Sequence, residues 1–144
     1  MLNLQFIDFG TPAFDEALAL RDDILRKPLN MVFETADIQS EWDSYHLVCY
    51  DQQNEMLGCL VLKPLEEGVL KMRQVAVKES QQNGGIGTAL VHESERFCVE
   101  CGFKKIVLHA RKAAVPFYKK LGYKTQGKQF EEVGIPHSKM YKSI

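Results

Sequence analysis

Six consecutive residues, Gln82-Asn83-Gly84-Gly85-Ile86-Gly87, form the stretch best suited to chemistry. They follow an apolar, β-branched run, Val75-Ala76-Val77, and lead into Thr88-Ala89-Leu90-Val91, which has the composition of a helix's first turns. A strand, a glycine-rich loop and a helix in that order aim unpaired backbone N–H groups at an anion. Glycines let phosphate oxygens approach the main chain because no Cβ stands in the way. The pattern predicts a pyrophosphate clamp at the start of that helix. The loop lacks the Gly-Lys-Ser/Thr ending of a nucleoside-triphosphate loop, which weakens that alternative. Taken alone, the glycines would suit an ordinary tight strand-to-helix turn.

The elements that position this loop follow from periodicity and breakers. Residues 4–9 mix alternation with β-formers and predict a strand, which Gly10 ends. Thr11-Pro12 has the form of an N-cap followed by proline at the first helical position. Phe14, Ala17, Leu18, Arg21 and Leu25 recur at helical spacing, so a helix runs to about Arg26, and Pro28 stops it. Arg21 and Arg26 are expected to be solvated or snorkelling, with a phosphate or substrate contact as the lesser reading. Residues 27–43 form a long loop with a short helix over 37–42, a candidate wall for a substrate pocket.

Strands over 45–50, 56–63 and 69–77 with short turns make an antiparallel meander. The next helix shows Ile86, Ala89, Leu90, Phe97 and Cys101 on one face, with Gly102 as its cap. A strand over 105–110 follows that helical crossover, which predicts a parallel pair with 69–77. A second helix runs over 112–121, with Pro116 confined to its first turn. Strands over 123–130 and 137–142, joined by a turn at 131–136, end the chain. No linker divides residues 1–144, which are expected to form a single domain.

Composition narrows the partners. The chain has 144 residues, 45% hydrophobic and 26% charged, with a formal charge of −1, so no general attraction to nucleic acid or an anionic membrane surface is expected. No apolar run approaches the ~20 residues of a membrane helix, and the N-terminus lacks the basic and apolar segments of a signal peptide. A cytoplasmic location is expected. The cysteines are Cys49, Cys59, Cys98 and Cys101. Cys98-x-x-Cys101 lies on a helix and has no second pair at zinc spacing, so the four are expected to be reduced, small hydrophobes, with Cys101 on the buried face and Cys98 flanking it.

Two blocks together resemble the GNAT superfamily of acetyl-CoA-dependent N-acyltransferases, across roughly residues 69–123. The first is the Gln82–Gly87 loop, matching the Q/R-x-x-G-x-G/A motif between a strand and a helix. The second is Ala114-Val115-Pro116-Phe117-Tyr118-Lys119-Lys120-Leu121-Gly122-Tyr123, matching A-x-x-F-Y-x-K-x-G-Y/F about thirty residues later. The ending Glu132 to Met140 is also similar to the last hairpin of small bacterial members and of glucosamine-phosphate acetyltransferases.

The resemblance implies an α/β fold: a mixed, mostly antiparallel sheet of six to seven strands with helices on both faces and two parallel strands splayed apart. It implies that Asn83, Gly84, Gly85, Ile86, Gly87 and Thr88 hold the CoA pyrophosphate, with Gln82 nearby. Val75, Ala76 and Val77 would pair with the pantetheine arm through their backbone, which calls for a bulge there. Phe117 and Tyr118 belong to the same cofactor site. Arg111 stands where many members carry an asparagine that contacts pantetheine, and could reach a CoA phosphate or face solvent. The family takes no metal.

Acyl transfer needs a held donor, a polarised carbonyl, a free amine and a protonated leaving thiolate. Tyr118 is the candidate general acid, since a phenol with a pKa near ~10 stays protonated at neutral pH; the alternative is a hydrogen-bonded core tyrosine. For the base, His137 and Glu34 rank ahead of His46 and His109, and ordered water is a further route. The expected function is transfer of an acetyl group from acetyl-CoA to the primary amine of a small molecule by direct attack in a ternary complex. The alternatives are a non-catalytic CoA-binding regulatory module and a nucleotide-binding protein. The acidic residues Glu34, Asp37, Glu41 and Asp43 would suit a cationic acceptor, whereas Arg21, Arg26 or Arg73 near the pocket would suit a phosphorylated one. A homodimer through an edge strand is a further expectation.

Overall fold

In the computed structural model, which describes residues 2–32 and 34–144, seven strands form one sheet in the order β1-β2-β3-β4-β5-β7-β6. The strands are β1 (Asn3–Ile7), β2 (Tyr45–Tyr50), β3 (Met56–Pro64), β4 (Val69–Val77), β5 (Lys105–Arg111), β6 (Lys124–Glu132) and β7 (Ile135–Ser143). Every neighbouring pair is antiparallel except β4 and β5. The helices are α1 (Pro12–Arg21), α2 (Thr35–Gln39), α3 (Ile86–Glu100) and α4 (Val115–Lys120). The mixed, mostly antiparallel sheet is the one expected.

Alternation along the strands sorts side chains to two faces. One face carries Leu47, Leu60, Leu62, Leu70, Met72, Ile106 and Leu108 into the main core, where Ile86, Leu90, Val91 and Cys98 of α3 and Tyr118 of α4 meet them. The other face carries Val48, Cys59 and Ala76 against Ala17 of α1. That helix covers β3 and β4, so the same face of β5 and β7 lies beyond its reach. Beyond it lie Lys71 and Arg73 of β4 and His109 and Arg111 of β5, each beside a core residue, and His137 of β7, which is itself buried.

Thr11 caps α1, its Oγ1 accepting from the Phe14 N–H at 3.3 Å, and Phe14, Ala17 and Arg21 form the buried stripe. The helix widens into one π turn (Asp22–Arg26) and closes on a 3-10 turn ending at Asn30. Arg21 departs from the expectation of a solvated arginine. Its side chain is buried and pairs bidentately with Glu41, at 2.8 and 2.7 Å. The short helix α2 lies at 35–39 rather than 37–42, and Glu41 follows it, turned inward. That placement removes Glu41 from any acidic acceptor patch.

The cysteines of α3 are exchanged relative to expectation: Cys98 is buried and Cys101 exposed. Cys101 is the C-cap residue, past the last full turn, and the buried stripe runs Ile86, Leu90, Val91, Ser94, Cys98. The final turn is tighter than 131–136. Val133 and Gly134 both take positive φ, 49° and 74°, as a two-residue hairpin turn requires. Consequently β6 extends to Glu132, which sits opposite Ile135.

Candidate functional site

Strands β4 and β5 pair only from Val69↔Lys105 to Met72↔Leu108. Beyond that point β4 stays with β3 while β5 stays with β7, and the two part. The divergence begins at a bulge. The β3–β4 register slips by one residue between Cys59 and Val61, and Gln74 takes φ 56°. The Lys78 N–H donates to the Leu57 carbonyl on β3. By alternation the Ala76 groups also face β3, while the Val75 carbonyl and the Val77 N–H face the gap. Val75 and Val77 thus offer backbone groups to an extended ligand, and Ala76 spaces them.

The glycine loop stands at the end of that gap. Asn83 and Gly85 take positive φ, 66° and 89°, and Gly85 is the N-cap of α3. No side chain caps the helix, and its first backbone bond is from Ala89 N–H to the Gly85 carbonyl. The N–H groups of Ile86, Gly87 and Thr88 therefore have no intrahelical acceptor and point outward together. Gly84's N–H is engaged by the Gln81 carbonyl at 3.3 Å. Gln82 Nε2 donates to the Val77 carbonyl at 3.1 Å and ties loop to strand end. A Cβ on Gly87 would meet the Phe117 ring at 3.2 Å. The two sequence blocks are thus in contact, and this glycine is small because the α4 aromatic lies against it.

A cavity of about 470 Å³ opens at the splay. Through the gap it reaches Val75, Ala114 and Tyr118 on the α3–α4 side. On the open face it is floored by Lys71, Arg73, His109, Arg111 and His137. Its walls are Leu25, Arg26, Met31, Val32, Glu34 and Asp37 on one side and Glu132 and Val133 on the other. Tyr118 is buried, and burial alone pushes its phenol up to about 12. It therefore remains protonated across the physiological range.

Three titratable side chains, His109, Glu132 and His137, cluster at the cavity's far wall. His109 Nδ1 lies 3.0 Å from Glu132 Oε1, and His137 Nε2 lies 3.6 Å from Glu132 Oε2. His137 Nδ1 sits 2.8 Å from the Ile135 carbonyl, which can only accept, so that nitrogen carries a proton. The His109–carboxylate contact likewise favours the Nδ1–H tautomer and leaves Nε2 as the basic atom. Partial burial pushes the Glu132 carboxyl up. The His109 hydrogen bond and the charges of His109, His137 and Lys71 outweigh it and hold the group below its ordinary value.

The structure brings His137, Glu34, Tyr118, Arg111 and Val75 to one cavity; the loop residues 82–88 lie apart from it, at the start of α3. Glu34 is exposed on the outer wall. Arg111 lies on the open face and turns toward the Leu25 carbonyl, 3.5 Å away. His46 is remote from the cavity. It is buried beside Phe14, with Nε2 donating to the Glu41 carbonyl at 3.1 Å. Glu132 was not singled out from the sequence. The signal that could have found it is a Val-Gly hairpin turn, which sets Glu132 across from Ile135 and within two residues of His137's position. Among the described residues there is no cluster of three or more His, Cys, Asp or Glu placed to hold a metal ion, and no helix long and apolar enough to cross a membrane.

Known structures share this fold. An acyl-CoA N-acyltransferase from Pseudomonas aeruginosa superposes with a TM-score of 0.84 at 17% identity, covering 99% of each chain. A GNAT family acetyltransferase from Elizabethkingia anophelis, solved with acetyl-CoA bound, superposes with a TM-score of 0.76 at 20% identity over 100% of this chain and 99% of that one. The family model of the acetyltransferase (GNAT) domain matches residues 20–144. An uncharacterized N-acetyltransferase of Bacillus subtilis, YjcF, is 31% identical over 88% of this chain and 90% of its own. The chain belongs to the GNAT acetyltransferase family.

Proposed function

We propose that the protein transfers the acetyl group of acetyl-CoA to the primary amine of a small molecule, by direct attack within a ternary complex. The observation that carries this is the splay. It turns the Val77 N–H toward the gap, near the start of α3 with its intrahelically unpaired N–H groups, and opens a polar cavity that reaches a buried, protonated tyrosine.

In this reading the N–H groups of Ile86, Gly87 and Thr88 hold the pyrophosphate, as partial positive charge at a helix start favours an anion. The Val75 and Val77 backbone groups extend the sheet onto pantetheine and bring the thioester to the gap. The acceptor enters from the open face. Its nitrogen attacks the carbonyl carbon and loses a proton to His109 Nε2, with Glu132 holding the ring through Nδ1. As the C–S bond breaks, the Tyr118 hydroxyl supplies a proton to the departing sulfur. His137 lies on the other side of Glu132, 3.6 Å away, and Glu34 borders the acceptor's entrance.

The test is incubation with acetyl-CoA and an amine panel, following free thiol. Thiol release that depends on the amine supports the reading. Tight CoA binding without release for any amine overturns it in favour of a binding module. Tyr118→Phe is expected to lower kcat by about 10²-fold or more while leaving the KM for acetyl-CoA unchanged. An unaltered kcat would remove Tyr118 from the proton path.

A further inference from the structure

The open face near the splay carries Lys71, Arg73 and Arg111, and the carboxylates of Glu41 and Glu132 beside it are already engaged. Arg73 is the first β4 residue past the parallel pairing, and Arg111 is the last residue of β5. Both lie on the uncovered face, with Lys71 two residues before Arg73. Arg26 reaches the same space from the π turn and donates to Gln74 Oε1 at 2.9 Å. Glu41 gives both oxygens to Arg21, so Arg73 Nη1 remains 3.9 Å from it, beyond hydrogen-bond reach. Glu132 faces the two imidazoles. Among the described residues, the hydrogen bond that Arg111 makes is the long 3.5 Å approach to the Leu25 carbonyl. Glu34 and Asp37 stand exposed on the outer wall.

The field of these groups registers on their neighbours. Partial burial lowers the Arg26 guanidinium below its ordinary value, and Arg21, Arg111 and Arg73 lower it further against the opposing charge of Glu41. Partial burial and then Arg73 do the same to the Lys71 ammonium, with Glu132 opposing. Two guanidiniums lining one cavity fit an anion that presents a pair of oxygens, as a carboxylate or a phosphate does, which each fork can grip bidentately.

We propose that the acceptor amine carries a carboxylate or phosphate a few bonds from its nitrogen, and that Arg73 and Arg111 grip that anion at the rim of the splay. This rests on the transferase reading above. The short separation follows from placement: the nitrogen must reach the thioester in the gap, and both arginines border that gap. Leu25, Met31 and Val32 leave an apolar wall for the remainder of the acceptor. α-Amino acids and short aminoalkyl or amino-sugar phosphates meet this description; polyamines and neutral amines do not.

The experiment is a matched-pair screen on the full chain: α-amino acids against their amides, and ethanolamine phosphate and glucosamine 6-phosphate against their unphosphorylated forms. Thiol release gives kcat/KM, and calorimetry with CoA present gives binding of each compound. The expected result is at least a tenfold preference for one anionic class, with the two arms separating carboxylate from phosphate. Arg73→Gln is expected to erase about 10- to 100-fold of that preference while leaving the KM for acetyl-CoA unchanged. Arg73→Lys, which keeps the charge and loses the fork, should recover only part. Equal or better use of the neutral partners overturns the proposal and leaves the transferase reading intact. Anion binding that needs Arg73, without thiol release from any amine, keeps the anion site and overturns the transferase reading. A wild type that shows no anion binding and no anion preference overturns the proposal.

Discussion

Two clusters occupy the same face of the sheet and are built alike, a carboxylate held by side-chain nitrogen. Arg21 and Glu41 are sealed, with side chains 3% and 2% exposed and both carboxylate oxygens taken at hydrogen-bond distance. His109 and Glu132 are open, 28% and 47% exposed, and among the described residues His109 Nε2 makes no hydrogen bond. The sealed pair lies under α1 and anchors the 27–43 segment. The open pair lies where no helix covers the sheet and faces the cavity. Burial decides the difference. A charge without water must have every partner supplied, and is then fixed; a charge with water access can exchange protons.

Breaking the sealed pair should produce the largest effect. Glu41→Ala leaves the Arg21 guanidinium buried without its carboxylate and is expected to cost about 3–5 kcal/mol in urea unfolding. The double change Arg21→Met with Glu41→Leu should recover most of that loss. A cost below about 1 kcal/mol for Glu41→Ala would show that the pair is not sealed as described. Glu132→Gln tests the open pair. It should lower turnover by about 10²-fold by removing the charge that steadies the His109 imidazolium, with the melting temperature and the KM for acetyl-CoA little changed. A loss of stability matching the loss of activity would place Glu132 with Glu41 as a structural group.

The contrast explains what was legible in the sequence. The glycine loop, the β4–α3–β5 crossover and the meander depend on local signals, breakers and periodicity, and the structure has them where the residues predict. The bulge was anticipated from the family resemblance, and it falls at Gln74, just before Val75. The polar clusters were not legible. Arg21 has the spacing of a stripe residue, but nothing local says that its partner lies 20 residues away. Glu132 looked like part of a loose turn because Val133 is a poor candidate for positive φ. Its role depends on a two-residue hairpin that only β7 pairing enforces. Cys98 and Cys101 were exchanged because the helix face was counted past the last full turn.

His46 offers the finest test, since it touches the sealed cluster without joining its ion pair. Burial lowers its pKa from the ordinary 6.5 and Arg21 adds to the effect, while the hydrogen bond to the Glu41 carbonyl and the Glu41 charge oppose it. The folded state therefore favours the neutral ring more than the unfolded chain does. Its contribution to stability is complete above about pH 6.5, and it is lost as the pH falls below the unfolded value toward the folded one. Unfolding free energies measured from pH 8 to 5.5 should decline for the wild type and decline less for His46→Gln, which keeps a donor for the Glu41 carbonyl and does not titrate. The difference between the two curves should reach no more than about 1 kcal/mol, as one unit of pKa shift is worth 1.36 kcal/mol. Parallel curves would mean that water reaches His46, and the region around Glu41 would then be as open as the one around Glu132.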